Sequence, residues 1–206
     1  MNWSEIKEVL KKGSNKERIL EKKDTAGTAK SMGINPESTL GQVVSNAREI
    51  YVNQYLRLCG SDNIVTVNRQ VKEFYPGNKV VVATDAWGGF FVISNGDFEG
   101  HQAKIWYYSP DCLAWEETEM NYTGFISWVA DGDLHKYYTN WMWEGFEEYI
   151  EGKFKGLIGG VKSNQAILVY PFLWSNECDI NTAKKNTVPF EEIVAVNYDY
   201  ERRLKK

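Results

Sequence analysis

Apolar positions along this chain fall into runs of two periods. Near the start, Trp3, Ile6, Val9 and Leu10 recur at three- and four-residue spacing. That spacing predicts an amphipathic helix, capped by Ser4 and stopped at Gly13. Residues 14–38 are polar and Lys-rich with little periodicity, and they read as a connector ending at the turn signal Asn35-Pro36. Thr39 and Gln42 have the spacing of a capping box, and Leu40, Val43, Val44 and Ala47 follow at helical spacing. Residues 49–60 admit two readings. They either continue that helix on Ile50, Tyr55 and Leu58 or form two short strands meeting at Asn53-Gln54. Their β-branched and aromatic content favours the strands.

The period changes after a helical turn near Val71 and Phe74 that ends at Pro76-Gly77. From Lys79 to Trp115 the chain carries its densest apolar content and most of its turn residues. Val80, Val81 and Val82 form the continuous run of a strand buried on both faces. Asp85 to Gly89 turns the chain into Phe90–Ser94, Asn95-Gly96 makes a second turn, and Ser109-Pro110-Asp111 separates two further strands. Beyond them, a Thr123-capped helix through Phe125, Ile126, Trp128 and Val129 stops at Asp131-Gly132-Asp133. A second helix from near Asn140 places Met142, Phe146, Tyr149 and Ile150 on one stripe. Residues 165–174 read as a strand and 176–186 as a surface loop. Pro189 then opens a last helix with Phe190, Ile193, Val194, Asn197, Tyr198, Glu201 and Leu204 on its inner face. The sum is an α+β fold, a single, mostly antiparallel sheet flanked by helices. Residues 1–38 form an N-terminal helix and connector, and residues 39–206 the main domain.

Composition narrows the function classes. Hydrophobic residues make up 43% of the 206 positions and aromatics 14%, enough for a packed core rich in rings. The net charge of −4 lacks the basic footprint of a nucleic-acid or anionic-membrane binder, and an acidic surface suits a basic protein partner. No run approaches the ~18 apolar residues of a membrane span. The start has no signal-peptide pattern, and Cys59, Cys112 and Cys178 form no C-x-x-C pair. A soluble cytoplasmic protein is expected.

No catalytic set emerges. His101 and His135 are not spaced as metal ligands, and Asp131-Gly132-Asp133 fails the calcium-loop spacing at its fifth and twelfth positions. Gly156 to Ser163 misses a phosphate loop, because Val161 stands where glycine is required. Neither a metal nor a cofactor is expected. Two features have a functional reading. Asp85, followed by Trp87-Gly88-Gly89, can either bind a partner or accept the N–H groups of its own turn. Trp141 and Trp143, beside Phe146, cannot both face one core from a helix, so either one is exposed for binding or loops cover both.

The series Asp85, Gly88, Gly89, Phe90, Phe91 resembles part of a bacterial family known as domain of unknown function 2625. So do Tyr108, Pro110, Asp111, Leu113, Trp115 and Glu116, then Tyr122, Phe125 and Trp128, then Tyr170 to Trp174. The likeness runs from about Thr39 to the C-terminus, with residues 14–38 and 151–165 the chain's own. It implies two strands after the Thr39 helix, and the family's name says nothing of an activity. The order of elements is also similar to the SUKH superfamily, which implies a curved sheet and a toxin-immunity-like or adaptor role. By that analogy the contacting residues are Asp85, Trp87, Gly88, Gly89, Trp141 and Trp143. The alternatives are a small-molecule or carbohydrate-binding protein or hydrolase with a pocket near Asp85 and His101, and a structural homo-oligomer.

Overall fold

The strands expected between Lys79 and Trp115 are the centre of a seven-stranded antiparallel sheet. A computed structural model describes residues 1–23, 26–98, 103–152, 161–162 and 164–205. In it β1 (Glu17–Glu21), β2 (Ala47–Val52), β3 (Leu56–Cys59), β4 (Val80–Asp85), β5 (Phe90–Ile93), β6 (Ile105–Ser109) and β7 (Ala114–Glu117) lie side by side in chain order. The ambiguous segment is the β2–β3 hairpin. Asn53 and Gln54, both with positive φ, form its turn, as a two-residue hairpin connection of matching twist requires.

Because side chains alternate along a strand, adjacent residues report opposite faces. Phe91 and Tyr107 are register partners on one face, and Phe91 meets Phe125 of α5 (Tyr122–Asp131) at a centroid distance of 4.9 Å. Helices α1 (Trp3–Lys12) and α3 (Thr39–Asn46) pack with α5. Phe90 and Tyr108 are partners on the other face. There Tyr75, at the end of α4 (Ile64–Phe74), and Phe190, in α8 (Phe190–Leu204), meet Phe90. Helices on both faces explain why Val81 and Val82 are both buried.

Long-range structure corrects several local expectations. The polar segment 14–38 carries β1 and a short α2 (Gly27–Ser31), and β1 pairs with β2 at the sheet edge. An edge strand half-exposed on both faces shows no apolar alternation, and its charged residues suit an open edge. A second, two-stranded sheet joins β8 (Gln165–Tyr170) to β9 (Lys184–Pro189), so the architecture is not a single sheet and the 176–186 loop ends in a strand. Backbone pairing alone specifies β9, most of whose side chains face solvent. The last helix buries Phe190, Ile193, Val194 and Asn197 as expected, whereas Leu204 is 62% exposed.

The helix caps also shift. Asn2, not Ser4, caps α1 and forms a capping box with Glu5, and Asn121, not Thr123, caps α5. Ser38 caps α3, freeing Thr39 and Gln42 for other work. Thr39 Oγ1 accepts from the Met1 amino group at 2.9 Å and bonds Thr123 Oγ1 at 2.8 Å, while Gln42 accepts from Trp3 N–H. The helix expected from Asn140 is broken. It is α6 (Leu134–Tyr138), a 3-10 turn Thr139–Trp141, an extended link, then α7 (Phe146–Ile150) following Gly145 in the left-handed region. Among the described residues no helix is long and apolar enough to cross a membrane.

Candidate functional site

Asp85 ends β4 inside the protein with 0% exposure. Its Oδ1 accepts the backbone N–H groups of Trp87 and Gly89, each at 2.9 Å, and its Oδ2 accepts the Tyr107 hydroxyl at 2.6 Å. The carboxylate therefore closes its own turn, the structural one of its two expected roles. Burial pushes its carboxyl above the ordinary range, opposed by Tyr107, the two N–H groups and the charge of Arg57. The turn demands both glycines. Gly88 has φ +89° and lies against Ile193, and a Cβ on Gly89 would stand 2.1 Å from Tyr107 Oη.

Arg57, on β3, is also 0% exposed, an unusual place for a guanidinium. Its Nη1 donates to the carbonyls of Lys162 (2.8 Å) and Gln165 (2.9 Å), tying the approach to β8 onto the main sheet. Burial pulls this guanidinium down, with Glu49, Tyr51 and Asp85 opposing. Sequence reasoning passed over Arg57. The available signal was one charge inside the apolar hairpin strand Leu56–Cys59.

The turn delivers Trp87 into a ring stack. Trp87 lies nearly parallel to Tyr138 and to Phe146, each at 5.0 Å and 16°. Its Nε1 donates to the Trp141 carbonyl at 3.1 Å, and the two indoles meet edge-on at 5.7 Å. Asp85, Trp87, Gly88, Gly89 and Trp141 thus come together, all of them buried. Trp143 stands apart. It is half-buried, packs on Phe146 and Tyr149, and lies under the Lys185 ammonium at 5.0 Å. Neither tryptophan sits in an α-helix, so the alternation argument gives way to the broken 134–150 segment.

Two surface clefts flank this framework. One, of about 460 Å³, is lined by Asn140, Trp141, Leu173, Cys178 and Ile180, with Asp111 and Asp179. The other, of about 280 Å³, lies between residues 14–16, the β2–β3 turn, His135 and α7. His135 is exposed, and His101 and the stretch 156–160 of the rejected phosphate loop lie outside the described residues. Among the described residues, ligand-type atoms of Asp111, Cys112 and Glu116 approach within 4.8 Å of one another. Burial, then Asp111, pushes the Cys112 thiol up to about 11, so at neutral pH it is a protonated thiol donating to Glu116. Asp111 accepts from Ser109. The set fits a solvated turn better than a metal centre.

The chemistry of the interior is thus structural. Asp85, Arg57, Tyr107 and Tyr138 are closed off, and burial holds both phenols well above their ordinary range as neutral donors. Groups able to meet a ligand are at the clefts, and of these the sequence pointed only to Trp141.

Residues 1–193 match the family described as "protein of unknown function DUF2625", and the chain belongs to it. It is 28% identical over 192 residues to the uncharacterized protein YbfG of Escherichia coli (strain K12), covering 88% of this chain and 84% of that protein. An uncharacterized protein of Haemophilus influenzae (strain ATCC 51907 / DSM 11121 / KW20 / Rd) is 24% identical over 161 residues, covering 72% of this chain and 71% of its own length. The family match begins at residue 1, so it includes the 14–38 segment expected to be the chain's own.

Proposed function

We propose that the protein is a non-enzymatic interaction module that holds a basic partner protein by surface complementarity, in a toxin-immunity-like or adaptor role in the cytoplasm. The observation that carries this reading is the cleft of about 460 Å³ beside Trp141. Its floor of Trp141, Leu173 and Ile180 is apolar and its Asp111 and Asp179 are acidic, the pairing of aromatic anchor and charge found at interface hot spots. A Lys or Arg of the partner would lay its stem on the indole and its head against the two carboxylates. The net charge of −4 would steer such a partner toward the surface.

The test starts from affinity capture by the full chain at low and moderate salt, followed by titration with the purified partner. Replacing Asp111 and Asp179 together by Lys is expected to weaken binding at least about tenfold and to flatten its salt dependence. The reading fails if no specific protein is captured, or if the charge-reversed chain binds its partner equally well.

A further inference from the structure

The cleft of about 280 Å³ at the β2–β3 turn brings three unlike polar groups onto one apolar wall. The wall is Met142, Phe146 and Ile150, and Lys16, Tyr55 and Glu147 are among the polar groups that line it, with His135 and Glu151 at the same cleft. From this combination we infer a binding site for a compact zwitterion, an α-amino acid with an apolar side chain.

Lys16 is anchored through its backbone and Tyr55 through its ring, and each polar group has bonding capacity left over. Lys16 is planted by two backbone links, its N–H donating to Asn53 Oδ1 at 2.9 Å and its carbonyl accepting Asn53 N–H at 2.8 Å. Its ammonium has no ion-pair partner among the described residues. Tyr55 is 5% exposed, and its ring is fixed by Trp87, Tyr138 and Phe146 at 5.3–5.9 Å. The Tyr55 oxygen accepts from Asn53 Nδ2 at 3.1 Å, while its own proton has no acceptor among the described residues. Burial, with the Asp133 and Glu147 charges adding to it, holds this phenol above its ordinary value, so the proton stays on as a donor. Glu147 is exposed on α7, and its carboxylate likewise has no ion-pair partner among the described residues.

A cation and a neutral donor call for a carboxylate, and the Glu147 carboxylate calls for an ammonium. Met142, Phe146 and Ile150 call for a hydrocarbon group beside them. A volume near 280 Å³ is at the small end of ligand pockets and suits a single amino acid. The site is separate from the cleft beside Trp141, so it stands or falls independently of the protein-partner reading.

The experiment is calorimetric titration of the full chain with L-leucine, L-methionine and L-phenylalanine, with N-acetyl-L-leucine and L-leucine amide as controls. At least one free amino acid is expected to saturate, and both blocked compounds are expected to bind at least about tenfold more weakly. Glu147→Gln and Lys16→Met, both at exposed positions, are each expected to weaken binding about tenfold with Tm unchanged. Tyr55→Phe should do the same, and its Tm reports separately on folding. The proposal is overturned if no amino acid saturates the wild-type chain, if the blocked compounds bind equally well, or if Glu147→Gln and Lys16→Met leave affinity unchanged.

Discussion

Tyr107 on β6 donates its hydroxyl to Asp85 on β4 at 2.6 Å, across the intervening strand β5 and out of reach of solvent. The phenol neutralises part of the cost of burying a carboxylate and locks the turn whose N–H groups the same carboxylate accepts. Through that turn the pair fixes Trp87, and through Trp87 the wall of the cleft beside Trp141.

Tyr107→Phe removes one donor and is expected to lower stability by about 1–3 kcal/mol. Asp85→Ala leaves two N–H groups and a phenol without their acceptor, and is expected to cost about 3–5 kcal/mol. Equilibrium denaturation of both variants measures these values. A Tyr107→Phe protein as stable as wild type would show that the bond is replaceable.

Gly88 and Gly96 both have positive φ, yet only Gly88 has a packed neighbour, since nothing lies within 4 Å of a Cβ built on Gly96. Gly96→Ala should therefore cost only the backbone strain, about 1 kcal/mol. Gly88→Ala adds a clash with Ile193 Cγ2 at 2.6 Å and should cost at least about 1–2 kcal/mol more. Paired thermal melts give the difference directly.

Arg57→Met is expected to loosen β8 more than the sheet. The methionine fills much of the space but leaves the Lys162 and Gln165 carbonyls without their donor. Hydrogen exchange should quicken at Ala166–Val169 while the amides of β4 and β5 stay protected. Equal acceleration in all three strands would mean that Arg57 supports the whole fold rather than this junction.

Glu49 on β2 is 5% exposed and accepts from Asn63 Nδ2 at 2.9 Å. Burial raises its carboxyl above the ordinary value, against Tyr51, Arg57, Asn63 and Arg18. Its contribution is therefore fully present below the unfolded value of about 4.3 and is lost as pH rises through the folded value. Glu49→Gln cannot ionise. The stability of wild type relative to Glu49→Gln should fall as pH rises above about 4.3. Urea titrations at rising pH should show it, and a flat or rising difference would reverse the sign assigned here.

Residues 1–12, 80–98, 103–117 and 190–197 were legible because their periods are strong and their turn residues specific, whereas 49–60 left helix and hairpin both open. For Asp85 the turn role was one of two open readings, since an Asp before a tight Gly-Gly turn has N–H groups to accept within its own loop. Caps were legible only to within a residue or two. Ser38 and Thr39 offer the same hydroxyl, and the choice fell to Thr39's distant contacts with Met1 and Thr123. The 140–150 segment was misread because its stripe of Met142, Phe146, Tyr149 and Ile150 suits a helix, while Gly145 and the Trp87–Trp141 bond break it.

By itself the sequence determined the α+β class, the meander between Lys79 and Glu117 and most of the inner face of the last helix, and it favoured the β2–β3 hairpin without fixing it. These follow from side-chain alternation and local turn chemistry, which neighbouring residues encode. Only the tertiary structure decided that β1 and β9 are strands, that Arg57 is buried against the approach to β8, and that Lys16, Tyr55 and Glu147 share one cleft. Edge strands pair through backbone groups common to every residue, and a cleft is assembled from segments far apart in the chain. Neither leaves a period in the sequence to be read.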